Sequence, residues 1–437
     1  MKRLFAAKAT LFGLLLSLFL LAGCSAISAL QNTPGASETS AVTPVETLVP
    51  TAVISQDVTP TPPGPVTLQI WVPPQFDPQA DTPVGHLLRS RLDEFSSRRP
   101  DVRVEVRVKA VDGPGGLLDS LTTASAAAPL ALPDVVALPR TVQETAALKG
   151  LLHPFDGLTT VMEDSDWYAY ARQLAQLQSS TFGLPFAGDA LIMVYRPNAV
   201  SEPPADWASA LITKGPLAFP AADPQSLFTL TLYQSSGGNV RDDQGRPILD
   251  ADTLGRVLTF YQDAETAGVM PFWLTQYQTD DQAWEAFTEK RADMAVTWTS
   301  RYLANMLADT ASAPIPTEDG AAYTLATGWV WALASPQPEK QALGAQLAEF
   351  LTESDFLAQW TLAAGYLPPR PSSLQAWPDT SLQSLMSKVI LSAQIYPSGD
   401  VLTSLGPLLE QATVQVLKEQ ADPATAAQDA VSGLPVP

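Results

Sequence analysis

The sequence predicts an α/β protein with a core large enough for two domains. Apolar residues alternate at 66–72 and again at 102–108, the spacing of two that is typical of β-strands. Between these segments, apolar side chains recur at helical spacing from Val84 to Phe95, and Pro100 ends that helix. A strand, a helix and a second strand in this order favour a right-handed crossover within one sheet. Because 46% of the residues are hydrophobic, the chain can bury a sizeable core.

Later segments continue the alternation of strands and helices. Residues 134–138 are a short apolar run of the kind found in buried strands. The turn at 242–245 predicts a hairpin, and Asp252 is suited to cap a helix that Gly268 ends. Residues 294–298 read as a further strand, and helices dominate toward the C-terminus. This alternation favours the α/β class over separate helical and strand domains.

The N-terminus predicts a processed leader. Cations at positions 2, 3 and 8 precede an apolar run at 11–22, which is too short to span a bilayer but suits a signal peptide. The run ends in Leu21-Ala22-Gly23-Cys24, which resembles the lipobox of bacterial lipoproteins. We therefore expect residues 1–23 to be a lipoprotein signal peptide and Cys24 to be lipidated. The alternative is an ordinary secretory signal with a chance cysteine.

The next segment, 24–65, predicts a spacer between the membrane and the folded part. Residues 31–65 contain seven prolines, seven threonines and only three charged residues. Such a composition cannot bury enough surface to offset its ordering entropy. Proline favours an extended chain that could reach about 100 Å.

Composition and motifs exclude several classes of function. There are 45 acidic and 25 basic residues and no basic cluster, so the surface repels nucleic acid. Cys24 is the only cysteine, which excludes intrachain disulfides. His86 and His153 are the only histidines and show no zinc-binding spacing. No nucleophile elbow, phosphate loop or dinucleotide motif occurs, so we predict no metal and no cofactor.

Five stretches of the sequence resemble the extracellular solute-binding proteins of ABC importers, in the group that includes maltose- and oligosaccharide-binding proteins. Their order and spacing across roughly residues 66–375 carry the resemblance. They are Glu94-Phe95 through Arg99-Pro100-Asp101-Val102, Phe182-Gly183-Leu184-Pro185-Phe186-Ala187-Gly188-Asp189-Ala190-Leu191 with Val194-Tyr195 and Asn198, Gly237-Gly238 through Val269-Met270-Pro271, Ala286-Phe287 through Ala292-Asp293-Met294-Ala295-Val296, and Gly328-Trp329 through Gly365-Tyr366-Leu367-Pro368-Pro369-Arg370.

The resemblance implies two α/β lobes that close on a ligand by hinge motion. Lobe 1 would comprise 66–186 and 314–368, and lobe 2 would comprise 187–313 and 369–437. The chain would cross between the lobes near 187–190, near Pro314 and near Pro368.

The implied function is capture of a small solute, a mono- or oligosaccharide, by a monomeric, lipid-anchored protein that is not an enzyme. The captured solute would pass to the permease subunits of an ABC importer. Two alternatives stay open: a secreted carbohydrate-active hydrolase built on two carboxylates, and a lipoprotein scaffold or sensor that binds no ligand.

A sugar site needs aromatic platforms and a few polar partners. Asp189 lies at the implied lobe crossing, where the family often places an acidic sugar-binding residue, and its alternative is a cap or turn aspartate. Trp298 follows a strand at the position where the family commonly turns an aromatic residue into the cleft. Trp71 ends the first strand, where open α/β sheets bind ligands.

The remaining predicted ligand contacts lie near the C-terminal part of the resemblance. Trp329 and Trp331 alternate along one strand and so face one side, which is either cleft wall or core. Tyr366 and Arg370 bracket a proline-rich bend that would hold a guanidinium firmly. The alternative for Arg370 is a salt bridge between the lobes.

Overall fold

A computed structural model describes residues 64–434 of the chain. The predicted signal peptide, Cys24 and the spacer up to residue 63 lie outside the described residues. Among the helices of 64–434, none combines the length and the apolar character needed to cross a membrane.

The described residues contain strands that are short except for two long ones. In chain order they are β1 (Val66–Val72), β2 (Val102–Val108), β3 (Val135–Pro139), β4 (Gln176–Leu177), β5 (Ser180–Thr181), β6 (Leu184–Tyr195), β7 (Leu217–Ala218), β8 (Met294–Trp298), β9 (Ala311–Ala313), β10 (Thr324–Leu333) and β11 (Ala393–Ile395).

Helices separate most of these strands. In chain order they are α1 (Pro83–Arg98), α2 (Leu117–Ala127), α3 (Arg140–Leu148), α4 (Ala169–Ala175), α5 (Trp207–Leu211), α6 (Leu227–Ser235), α7 (Ala251–Thr266), α8 (Asp280–Thr288), α9 (Thr299–Ala304), α10 (Pro338–Phe350), α11 (Ser354–Ala364), α12 (Pro371–Gln375), α13 (Thr380–Ser392), α14 (Gly399–Leu417) and α15 (Pro423–Ser432).

Local signals explain how several helices begin. Thr82 caps α1 by accepting a hydrogen bond from the Gly85 backbone N–H, with proline at the first helical position. The cap of α7 is Asp250 rather than the predicted Asp252. Asp250 has extended backbone and accepts from Thr253 at 2.7 Å, whereas Asp252 already lies in the first turn. Either aspartate suits a helix start, and the backbone geometry decides which one caps.

Strand order defines a mixed sheet. Its main path runs β2-β1-β3-β10-β6-β8-β7, while β11 pairs with β10 and β9 pairs with β6. Strands β1 and β2 pair in parallel from Val66 opposite Val102 onward, which confirms the parallel pairing expected for the strand–helix–strand opening. The predicted hairpin at 242–245 is a tight turn closed by a single bridge between Arg241 and Pro247.

Two hydrophobic cores lie along this sheet, one in each lobe. The lobe 1 core contains side chains of β1 and β3, such as Ile70 and Val136. The lobe 2 core contains side chains of β8 and α7, such as Met294 and Val257. This division confirms the predicted two-lobed α/β class.

The long strands β6 and β10 run through both cores. In β6, Phe186 packs in lobe 1 and Ile192 packs in lobe 2. In β10, Leu325 packs in lobe 2 and Val330 packs in lobe 1. The lobes are therefore joined by an antiparallel pair of strands that crosses at their middle, where Asp189 lies opposite Thr327.

The second crossing differs from the one predicted near Pro314. Ala313 and Ile315, which flank Pro314, still pack in the lobe 2 core, because strand β9 pairs with the lobe 2 half of β6. In this part of the chain, core membership changes from lobe 2 to lobe 1 between Ala326 and Trp329, inside the continuous strand β10. A proline marks the end of a strand, but it carries no information about which core the following residues join.

Candidate functional site

Asp189 lies at the middle of the lobe-joining strand pair and is held by the start of α9. The Thr299 hydroxyl donates to its Oδ1 at 2.7 Å, and the Ser300 backbone N–H donates to the same oxygen at 2.9 Å. The Ser300 hydroxyl donates to Oδ2 at 2.5 Å. Burial raises the pKa of Asp189 to about 6, although these hydrogen bonds oppose the rise. These contacts fix the Asp189 carboxylate to the first turn of α9, although Asp189 itself lies within strand β6.

The register of the strands places Asp189 on the same face of the sheet as several other residues predicted to contact the ligand. Asp189 lies opposite Thr327 in β10, and Ala187 lies opposite Trp329. Two residues farther along β6, Leu191 lies opposite Trp298 of β8. Because side chains alternate across a strand, these positions share one face.

A cavity of about 280 Å³ opens beside Leu191 and Trp298. It lies beyond the carboxyl ends of the parallel pair β7 and β8, where open α/β sheets bind ligands. Its lining residues are Leu191, Pro220, Asp223, Gln225, Leu227, Phe228, Gln278, Thr279, Asp280, Val296 and Trp298. We call this cavity the β7–β8 cavity.

Asp223 supplies one carboxylate of the β7–β8 cavity. It accepts hydrogen bonds from the backbone N–H groups of Gln225 at 3.0 Å and Leu227 at 3.2 Å. Burial raises its pKa, and these two bonds oppose the rise. Between them, buried Ser226 adopts a left-handed backbone with φ of 48°. Such strain in a non-glycine residue is typical of functional loops.

Asp280 supplies the second carboxylate, at the first position of α8. Its Oδ2 accepts from the Thr297 hydroxyl at 3.1 Å and from Nε of Arg301 at 2.6 Å. Its Oδ1 has no hydrogen-bond partner within residues 64–434. Burial raises the pKa of Asp280 and the charge of Arg301 opposes that rise. Arg301 of α9 thus holds this carboxylate in place.

Trp329 and Tyr366 belong to an aromatic cluster close to Asp189. Phe76 packs edge-on against Trp329 at 5.0 Å and against Tyr366 at 5.9 Å between ring centroids. Burial raises the pKa of Tyr366 to about 12. Both rings therefore pack against Phe76.

Trp331 lies deeper in the same cluster, with 2% of its surface exposed. Its ring stacks on Phe186 at 4.5 Å, and both side chains belong to the lobe 1 core. The contacts of Trp331 are those of the core alternative rather than of a cleft wall.

Arg370 and Trp71 lie apart from the β7–β8 cavity. The Arg370 guanidinium pairs with Asp164 at 3.1 Å, donates to the Thr352 carbonyl at 2.8 Å and lies 3.9 Å above the Trp167 ring. These contacts match the salt-bridge alternative for Arg370. Trp71 is buried at the end of β1, where its indole N–H donates to Gln69 at 3.2 Å.

The structure adds polar residues that sequence reasoning missed, chiefly Asp223 and Asp280. Asp223 lies in the loop that follows β7, and Asp280 lies at the first position of α8, close to the carboxyl end of β8. The rule that pointed to Trp71 could have pointed to them. However, β7 is only two residues long, and its sequence gives no periodic signal. Within 64–434, no group of three His, Cys, Asp or Glu side chains is arranged to hold a metal.

Comparison with known proteins agrees with this architecture. A model of the bacterial extracellular solute-binding protein family matches residues 91–384 of the chain. No curated protein sequence matches it significantly.

Solved structures similar to this chain include three sugar-binding proteins. The GacH receptor of Streptomyces glaucescens, solved unliganded and with acarbose, is 17% identical with a TM-score of 0.63, over 84% of this chain and 97% of its own. The cyclic α-maltosyl-1,6-maltose binding protein of Arthrobacter globiformis is 16% identical with a TM-score of 0.70, over 85% and 98%. A Thermotoga lettingae solute-binding protein bound to α-D-tagatose is 20% identical with a TM-score of 0.62, over 84% and 98%.

At these identities the similar structures establish the fold, and the family model establishes the kind of protein. Because that model spans well over half of the chain, the protein is a member of the bacterial extracellular solute-binding family, a family of binding proteins rather than enzymes.

Proposed function

We propose that this protein captures a mono- or oligosaccharide outside the cytoplasm and delivers it to the permease subunits of an ABC importer. The observation that carries the proposal is the β7–β8 cavity, which combines Trp298 with the carboxylates of Asp223 and Asp280. The C–H face of a sugar ring packs on an indole, and its hydroxyls donate to carboxylate oxygens. The proteins of similar structure that bind acarbose, cyclic maltosyl-maltose and tagatose support a sugar as the ligand class.

The charge and the volume of the β7–β8 cavity limit the kinds of sugar that it can bind. The lining of the β7–β8 cavity contains two aspartates and no lysine or arginine, so uronic acids and sugar phosphates would be repelled. A volume of about 280 Å³ lies near the lower end of the ~300–1,000 Å³ range of small-molecule sites. We therefore propose a neutral ligand of one or two rings in this cavity, with Asp189 fixing the neighbouring α9 rather than contacting the sugar.

The proposal is tested with the chain from residue 24 carrying Cys24→Ser, so that no lipid is attached. Its melting temperature and tryptophan fluorescence are followed against neutral mono- and disaccharides, uronic acids, polyols and amino acids. Saturable stabilisation by a neutral sugar that is recovered unchanged is the expected result, because a ligand of the native state stabilises by mass action. Conversion of the sugar to product would indicate the hydrolase alternative, and no stabilisation by any solute would indicate the scaffold.

We further propose that Cys24 is lipidated and that residues 24–65 tether the folded part to the membrane. The support is the lipobox-like Leu21-Ala22-Gly23-Cys24 and the proline- and threonine-rich composition that follows. Cys24→Ser should move the protein from the membrane fraction to the soluble fraction without changing its sugar affinity. A protein that stays membrane-bound after this substitution would contradict lipidation at Cys24.

A further inference from the structure

Arg140 differs from the other buried arginines of residues 64–434. Three arginines are more than nine-tenths buried, and two of them form ion pairs: Arg196 with Asp309, and Arg370 with Asp164. Arg140 has no carboxylate within salt-bridge distance in this part of the chain. Its guanidinium makes only long contacts, at 3.4 and 3.3 Å, with the carbonyls of Leu174 and Gln176. Its Nε has no hydrogen-bond partner among residues 64–434.

A buried guanidinium without a counter-ion is costly. Burial lowers the pKa of Arg140, and Glu144 opposes that change only from a distance. Arginine stays protonated in proteins, so the site cannot relieve the cost by losing a proton. A bound anion would relieve it.

Arg140 lines a separate cavity of about 500 Å³. Lobe 1 contributes α3 and the β4–β5 hairpin to its wall, and Arg241, Ser398 and Asp400 close it from the other side. We call it the α3 cavity. Its volume is well within the ~300–1,000 Å³ range of small-molecule sites.

The α3 cavity and the Asp189 side chain lie on opposite faces of the strand pair that joins the lobes. A side chain at Gly188 would run into Tyr170 of α4, so α4 covers the face opposite to Asp189. Arg140 contacts the carbonyl of Leu174 at the end of that helix. No residue lines both the α3 cavity and the β7–β8 cavity.

The charges in the α3 cavity define what it can bind. Arg241 is already paired with Asp400 at 2.8 and 3.0 Å. One Glu144 oxygen accepts from the Gly399 N–H at 3.2 Å, which fixes a negative charge in the wall. The free donor is therefore Arg140, whose fork geometry suits a carboxylate. A dianion would be repelled by Glu144 and Asp400, whereas a monoanion would be accepted.

We propose that the α3 cavity is a second ligand site, for a small organic monocarboxylate whose carboxylate pairs with Arg140. Leu177 and Phe182 line the same cavity and offer apolar contact to the rest of the molecule. This site is independent of the sugar site proposed above.

The test is calorimetric titration of the Cys24→Ser chain with acetate, lactate and benzoate, each compared with its neutral amide, and with inorganic phosphate. A saturable signal for a carboxylate and none for its amide is expected, with phosphate weaker. Arg140→Gln should lower the carboxylate affinity about tenfold or more, the usual effect of losing a charged hydrogen-bond partner. Glu144→Gln should raise it, because a like charge is removed from the wall.

Trp298→Ala is the matched control, since Trp298 lines the β7–β8 cavity and not the α3 cavity, and it should leave carboxylate affinity unchanged. Sugar affinity, measured in parallel, should be unchanged in Arg140→Gln, so the two proposals can fail separately. The α3 site is overturned if no carboxylate binds, if acids and amides bind equally, or if Trp298→Ala rather than Arg140→Gln removes the binding. Should Arg140→Gln fold poorly, the opposite effect of Glu144→Gln still decides the question.

Discussion

Asp189 and Ser300 are joined twice, because both the backbone N–H and the hydroxyl of Ser300 donate to the Asp189 carboxylate, at 2.9 and 2.5 Å. Asp189 lies at the middle of β6, and Ser300 lies in the first turn of α9. This pair fixes the helix that follows Trp298 to the strand that joins the lobes. Because the Asp189 carboxylate is buried, its protonation changes the free energy of unfolding, and this change can be measured.

We predict that Asp189 makes the free energy of unfolding fall as pH rises from about 4 to about 6. Its folded pKa of about 6 is above the ordinary value of 3.8, so the folded state holds the proton more tightly. The stabilisation is complete below the unfolded pKa and is lost as pH rises through the folded pKa. The difference corresponds to about 3 kcal/mol at most. Asp189→Asn should remove this decline in urea unfolding measured across that pH range.

The control for Asp189 is Asp250→Asn, at the cap of α7. The hydrogen bond from Thr253 lowers the pKa of Asp250, so its stabilisation is present above the unfolded pKa and is lost as pH falls. Relative to the unmodified protein, Asp189→Asn should therefore lose stability mainly at low pH, and Asp250→Asn should lose stability mainly at higher pH. Parallel stability curves for Asp189→Asn and the unmodified protein would show that Asp189 titrates normally.

We predict that Trp298→Ala lowers sugar affinity about 10- to 100-fold, the effect of losing an aromatic anchor worth about 1.5 to 3 kcal/mol. Trp273→Ala is the control, because Trp273 packs on Tyr277 in the same lobe and does not line the β7–β8 cavity. Calorimetric titration with the sugar found in the screen gives both affinities. An equal loss in the two variants would mean that the effect is general to lobe 2.

We predict that Arg301→Met shifts the pH dependence of sugar binding to higher pH. Arg301 holds the pKa of Asp280 below the value that burial alone would give, and its removal lets that pKa rise. Sugar binding uses the ionised form of Asp280. As the pH is lowered, sugar affinity should therefore begin to fall at a higher pH in Arg301→Met than in the unmodified protein. Titrations between about pH 4 and 8 measure this. Arg246→Met, which removes an exposed pair with Asp242, should leave the profile unchanged.

We predict that Trp331→Ala destabilises the protein by about 3 to 5 kcal/mol, the usual effect of removing a large aromatic side chain from a core. Its ring is stacked on Phe186 and almost fully buried. Trp331→Phe should lose much less, because it retains a ring. Urea unfolding measures both changes. Loss of sugar binding at unchanged stability would instead place Trp331 in the ligand site.

Much of the fold could be read from local patterns. Alternation at 66–72 and 102–108 predicts β1 and β2 with the bounds that the structure shows. Segment 294–298 likewise coincides with β8. Segments 66–72 and 102–108 are recognisable because apolar residues recur in them with the spacing of two typical of strands. Strand β8 is instead buried along almost its whole length and has no such spacing. The two-residue strand β7 imposes no such pattern and was not predicted.

The candidate site was less accessible to sequence reasoning. The resemblance pointed to Asp189 and Trp298, and both lie on the face that borders the β7–β8 cavity. Asp223 and Asp280, 57 positions apart in the sequence, were missed because only the packing of α6, α8 and β8 brings their side chains to one cavity. For Arg370, the sequence offered a ligand contact or a salt bridge, and the structure shows the pair with Asp164.

The sequence by itself determined what short-range patterns can encode: the leader and the spacer as predictions, the α/β class, and the order of the major strands and helices. Only the tertiary structure decided where the chain crosses between the lobes, at Thr327–Gly328 rather than near Pro314. It also decided which acidic residues share a cavity and which buried arginine lacks a partner. These features depend on contacts between residues far apart in the chain, and hydrophobic periodicity reports only whether a side chain is buried, not which side chains it meets.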